Sequence, residues 1–126
     1  MKQAISTEQA PGAIGPYSQA VKSGDLVFLS GQIPLDPATG ELVEGDAAAQ
    51  ARRCLQNLEA VCEAAGTSLQ SALRVTVYMT DLDGFAAVND VYGEFFSGQD
   101  QPARVAIGVA ALPKGAQVEI DAVVAA

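Results

Sequence analysis

Leu26-Val-Phe-Leu-Ser30 is a short apolar run closed directly by Gly31, and it predicts a buried strand. Turn formers bracket it. Pro11-Gly-Ala-Ile-Gly-Pro16 and Lys22-Ser-Gly-Asp25 precede it, and Pro34, Asp36-Pro37 and Thr39-Gly40 mark a loop behind it. Ala47, Ala51, Cys54/Leu55, Leu58, Val61/Cys62 and Ala65 then recur at the spacing of one helix face. Asp46 is a good N-cap for that helix and Gly66 a good C′ residue. Leu73, Val75, Val77 and Met79 alternate with Arg74, Thr76, Tyr78 and Thr80, the pattern of a strand with one apolar face. A second helix carries Phe85, Val88, Tyr92 and Phe95/Phe96, with Asp81 or Asp83 as its cap and Ser97-Gly98 as its close. Arg104 to Ala111 reads as a third strand and Pro113-Lys-Gly115 as a turn. Gln117 to Val124 reads as a fourth strand, with Gln117, Glu119 and Asp121 on one face.

The predicted order is strand, helix, strand, helix, strand, strand. It describes an α/β (α+β) two-layer domain over residues 1–126, with one face of the sheet left uncovered. If that face is apolar it needs another chain, and the Ala- and Val-rich last strands suit such an interface. Trp is absent and aromatics make up 6%, so the core is built from Ala, Val, Leu and Ile. A chain this small often gains stability by oligomerising.

Charge narrows the function. Fifteen acids against seven bases give a net charge of -8, and the bases Lys2, Lys22, Arg52, Arg53, Arg74, Arg104 and Lys114 are scattered. Without a basic stripe, phosphate-driven binding of nucleic acid is disfavoured. The absence of His removes Ser-His and Cys-His pairs and every His-based metal site. No metal or cofactor is expected. Cys54 and Cys62 stand two helical turns apart, about 12 Å, too far for a disulfide, and read as small core residues. No signal-peptide core and no membrane-spanning stretch is visible, so a reducing cytoplasmic setting is the expectation.

Arg104 carries the only charge between Gln101 and Pro113. A guanidinium cannot be neutralised in a protein, and its planar fork suits a carboxylate. It is either a carboxylate clamp or a surface or interface ion pair. Glu119, held between Val118 and Ile120, is a candidate general acid/base or an exposed strand residue. Tyr17 follows the Gly-Pro signals on a loop able to close over a pocket, or simply packs at an edge. Ser30 ends a strand, and Gly31 lets backbone N–H groups approach a ligand closely. Asn89 is a lone amide on an apolar helix stretch, a pocket donor or part of a solvated face.

In combination these segments resemble a family. Gly15-Pro-Tyr-Ser-Gln-Ala20, Ser30-Gly-Gln-Ile-Pro34, Ala49-Gln-Ala-Arg52 with Asn57, Val88-Asn89 with Tyr92 and Phe95-Phe96, Pro102-Ala-Arg104 and Val118-Glu-Ile120 follow the order of the RidA (YjgF) family. The resemblance covers nearly the whole chain. It implies a chorismate-mutase-like fold, a mixed sheet packed by two helices, and a homotrimer with clefts between subunits. It also implies cofactor-free hydrolysis of small 2-imino acids such as 2-iminobutanoate and 2-iminopropanoate to 2-oxo acids and ammonia. Under it, Arg104 matches the substrate-carboxylate arginine and Glu119 the acid that orients water. Tyr17, Ser30, Gly31 and Asn89 match pocket positions. Two departures bear on pocket shape: Ala106 stands where a Cys is frequent, and Gln101 where an aromatic is frequent. The alternatives are a trimer that binds small carboxylates without turnover, and an endoribonuclease or translation inhibitor. The missing His and the acidic balance weigh against the latter.

Overall fold

The computed structural model describes residues 1–98 and 100–126. Six strands form one sheet: β1 (Lys2–Ile5), β2 (Ala20–Ser23), β3 (Leu26–Gln32), β4 (Ala72–Met79), β5 (Ala103–Gly108) and β6 (Val118–Ala125). They lie in the order β1-β2-β3-β6-β4-β5. Every neighbouring pair is antiparallel except β4 and β5, which run parallel and are joined through helix α2 (Phe85–Phe95). Helix α1 (Ala47–Ala64) connects β3 to β4 and packs on β3, β6 and α2. Both helices cover the same face of the sheet, the expected two-layer α+β arrangement.

The apolar periods account for the core. On α1, Ala51, Cys54, Leu55, Leu58, Val61 and Cys62 are buried in one stripe. The Asp46 carboxylate accepts the Ala49 N–H at 3.0 Å, and Gly66 leaves the helix at a φ of 83°. The Cys54 thiol points at the Val118 carbonyl, 3.7 Å away. Burial, with Glu59 and Glu63 nearby, pushes the Cys62 thiol up to about 12, and burial pushes Cys54 the same way. Both stay protonated and serve as core, not as nucleophiles.

Two polar side chains on the buried face of α1 hold loops in place. Gln50 accepts the Gln117 N–H at 2.8 Å, at the entry to β6. Asn57, fully buried, donates to the Leu35 carbonyl at 3.0 Å and accepts from Arg53 Nε at 3.0 Å. Outside the core, Arg52 and Glu94 pair at 2.9 Å and link the exposed sides of the two helices.

The structure departs from the sequence expectation at several places. β1 and β2 were not expected; each is four residues long, and only Ile5 of β1 is buried. The strand expected over Arg104–Ala111 covers Ala103–Gly108, and the last strand starts at Val118, not at Gln117. Leu73 does not share the core face of β4. The register with β6 slips between Ala72 and Arg74, which turns Leu73 outward at 50% exposure. Asp81 caps a single 3₁₀ turn, Leu82–Gly84, by accepting the Asp83 N–H at 2.9 Å. α2 itself starts after Gly84 without a side-chain cap.

Replacing Asn57 by Ala leaves the buried Leu35 carbonyl unpaired. The expected cost is about 1–3 kcal/mol, read as a lower denaturation midpoint with an unchanged slope. An unchanged midpoint would show that Asn57 does not hold the loop.

Candidate functional site

The pleat of β6 sorts its residues. Val118, Ile120, Ala122 and Val124 face the helices, while Glu119, Asp121 and Val123 stand on the opposite face. Tyr78 pairs with Glu119 across to β4, and the Tyr78 hydroxyl donates to Asp121 at 2.9 Å. On the other side, Leu29 pairs with Ala122 and Gln32 with Ile120, so Ser30 and Gly31 stand against Asp121 alone. This bulge keeps Leu29 and Gln32 facing inward and lays the Gly31 backbone beneath the Glu119 carboxylate. A Cβ at Gly31 would overlap a carboxylate oxygen of Glu119 and come within 3.1 Å of its Cδ. Glycine leaves this space to the carboxylate, which a side chain at 31 would displace.

Glu119 opens into a cavity of about 220 Å³ whose walls include Pro11, Ile14, Tyr17, Ile33 and Pro113. Burial, and secondarily the charge of Asp121, raises the carboxyl above the ordinary glutamate range.

Tyr17 sits on the loop that forms one wall, half-exposed, its hydroxyl accepting the Ile14 N–H at 3.4 Å. Gln19 anchors this loop. Its carbonyl oxygen accepts the Thr7 N–H at 2.7 Å, and its amide donates to the carbonyls of Thr7, Ala10 and Pro11 at 2.8–3.3 Å. The Ser30 hydroxyl donates to the Ser18 carbonyl at 2.6 Å, so it holds the Tyr17 loop and does not line the cavity.

Arg104 lies elsewhere. Strand β5 pairs Arg104 with the buried Val75, which places its side chain on the helix-covered face, next to α2. Asn89 accepts from Arg104 Nη1 at 2.6 Å. The guanidinium carbon lies 4.8 Å from the Tyr92 ring centroid and 5.3 Å from that of Phe85. Among the described residues no carboxylate pairs with it. An open cavity of about 390 Å³ surrounds it, lined also by Gly93, Gln101 and Pro102. Gln101 donates to the Phe96 carbonyl at 3.1 Å and so ties down the approach to β5. Ala106, two residues on, packs against the core.

The candidates therefore form two groups. Tyr17, Gly31 and Glu119 share one cavity, with Ser30 supporting it; Asn89 and Arg104 share another. Arg104 and Glu119 project from opposite faces of the sheet, with β4 between their strands. Within one chain they do not meet. Sequence reasoning took Phe85 and Tyr92 as core alone. The spacing of Phe85, Asn89 and Tyr92, which places all three on one side of α2, was the signal that they share a neighbour.

Known proteins share this fold and give its class. Residues 7–126 match the family model described as Endoribonuclease L-PSP. A RutC family protein of Pyrococcus horikoshii is 53% identical over 98% of this chain and 97% of its own. The human protein named 2-iminobutanoate/2-iminopropanoate deaminase is 45% identical over 98% of this chain and 89% of its own. The crystal structure of RidA from an Antarctic Psychrobacter superposes with a TM-score of 0.94 at 48% identity, covering 98% of this chain and 99% of that one. The chain belongs to the RidA family.

Because its carboxyl is raised by the fold, Glu119 contributes stability that is complete below the unfolded glutamate value and lost as pH rises through the folded one. Glu119→Gln is therefore expected to raise the melting temperature at pH 7. The gain should vanish below about pH 4, where the carboxyl is protonated in both states. Equal melting temperatures at pH 7 would show that the fold does not strain this carboxylate.

Proposed function

We propose that the protein hydrolyses small 2-imino acids, 2-iminobutanoate and 2-iminopropanoate among them, to the 2-oxo acid and ammonia. The observation that carries this reading is the unpaired guanidinium of Arg104, held beside Asn89 and open to a cavity. A carboxylate is the ligand such a fork binds best. The name of the human relative supports the same chemistry.

The reaction needs few groups. A protonated imine is electrophilic at C2. Arg104 holds the carboxylate in a charge-assisted contact worth about 1.5–3 kcal/mol. Glu119 takes a proton from a water as its oxygen bonds to C2, giving a carbinolamine. The proton passes to the nitrogen, the C–N bond breaks with its electrons leaving on ammonia, and the C2 hydroxyl loses its proton to become the carbonyl. General acid–base help of this kind contributes about 10²–10⁴-fold. No cofactor enters the balance.

Arg104 and Glu119 can act on one substrate only if they come from two chains, since they project from opposite faces. We infer a homotrimer whose clefts join the Arg104 side of one copy to the Glu119 side of the next. The sheet face away from the helices supports this reading. Phe28, Leu73 and Ile107 stand on that side, each at least 41% exposed, and Phe28 borders a depression of about 290 Å³ together with Arg74 and Tyr78. Light scattering should return about three times the chain mass of 12.9 kDa. A stable monomer at micromolar concentration would remove the shared cleft. Two free, buried thiols suit a reducing cytoplasmic setting.

The direct test supplies a pyridoxal-phosphate dehydratase with serine or threonine and follows keto-acid release with and without this protein. Acceleration is expected. Binding of 2-oxobutanoate without acceleration would make the protein a carboxylate-binding module instead. Arg104→Ala should lower kcat/KM about 10²-fold or more while the assembly stays intact, and Arg104→Lys should recover little of it. Wild-type rates in folded Arg104→Ala would end the assignment.

A further inference from the structure

An arginine on an edge strand, without a counter-ion, ordinarily samples many rotamers. Arg104 has three restraints. Asn89 takes one edge of the fork at 2.6 Å, and the rings of Tyr92 and Phe85 approach the guanidinium at 4.8 and 5.3 Å, both inside the roughly 6 Å range of cation–π attraction. The three residues come from one helix, α2, at positions 85, 89 and 92, so they hold their mutual geometry. Tyr92 is itself immobilised. It is 8% exposed, and the Phe96 ring lies against it at 4.5 Å.

The Tyr92 hydroxyl adds a second clue. It is buried and has no hydrogen-bond partner among the described residues. Buried tyrosines usually pair their hydroxyl. What Tyr92 presents to Arg104 is its ring.

We propose that Tyr92, assisted by Phe85, is a positioning residue: the two rings fix the plane of the Arg104 guanidinium so that its free edge is presented as a ready-made carboxylate receptor. The identity of the ligand rests on the proposed function; the geometry does not. A fork held in place before the ligand arrives loses less freedom on binding. The rings act before chemistry, so their loss is expected in binding rather than in turnover of bound substrate. The same arrangement gives a reason to expect little from lysine at this position, since an ammonium has no plane to stack.

The test compares Tyr92→Leu with Tyr92→Phe. In ¹⁵N–¹H spectra, the Arg104 Nε–H signal, assigned by its loss in Arg104→Lys, should be displaced by ring currents in the wild type. Tyr92→Phe should keep that displacement and Tyr92→Leu should lose most of it. Calorimetry with 2-oxobutanoate and initial rates with the dehydratase-generated imine give the second readout. Tyr92→Leu should raise Kd and KM about tenfold with kcat within about twofold, whereas Tyr92→Phe stays near wild type in both. Folded Tyr92→Leu with an unmoved Arg104 signal and wild-type affinity would overturn the proposal, and so would a fall in kcat at constant KM. If Tyr92→Leu does not fold, Phe85→Leu, at a less buried position, answers by the same readouts. If the wild type binds no 2-oxobutanoate and turns over no imine, the functional reading falls, and the Arg104 signal alone decides whether the rings position the guanidinium.

Discussion

Strand β6 runs between β3 and β4, and its pleat must satisfy two surroundings at once. Val118, Ile120 and Val124 are fully buried beneath the helices, so Glu119 and Asp121 have no choice but the other face. A slip of one residue would bury two carboxylates and expose four aliphatic side chains. The hydrophobic core thus fixes the direction of Glu119 more firmly than any contact Glu119 makes. The bulge at Ser30–Gly31 completes the arrangement by removing side-chain bulk where the carboxylate comes to rest. Packing energy on one face of the sheet sets where the carboxylates stand on the other.

Arg104 solves a different problem. A cation without a counter-ion is costly when buried and poorly ordered when exposed. Here it stays solvent-accessible while an amide and two aromatic rings restrict it. The rings belong to the stripe that also packs α2 against the sheet: Tyr92 is part of the core and also borders Arg104. The same side chain thereby packs the helix and restrains the guanidinium. The anchoring of the Tyr17 loop follows a similar economy, with the buried Gln19 amide pairing with both the N–H and the C=O of Thr7 as a neighbouring strand would.

Much of this was legible in the residues, and the exceptions have physical reasons. Helix α1 shows itself because its apolar residues keep the helical period over five turns between a good cap and a left-handed glycine. β3, β4 and β6 show themselves through apolar runs or alternation. β1 and β2 do not, because strands of only four residues owe their order to pairing across the sheet, a contact that local pattern does not record. The bulges that turn out Leu73 and seat Gly31 are likewise properties of two strands together. Arg104, Glu119, Tyr17, Gly31 and Asn89 stood out as chemistry, and the motifs joined them to a family. Their division between two faces could not be read from the chain, since it depends on the register of β5 against β4 and of β6 against both neighbours. Ser30 was marked for the right neighbourhood, but its hydroxyl is engaged by a backbone carbonyl.

The contact between Gly31 and Glu119 also constrains how relatives of this protein can diverge. While a glutamate occupies position 119, a side chain at 31 would overlap the carboxylate where it now rests, so the acid would have to swing aside to make room. The two positions are therefore coupled: bulk added at 31 moves the acid, and an acid shortened at 119 frees space at 31.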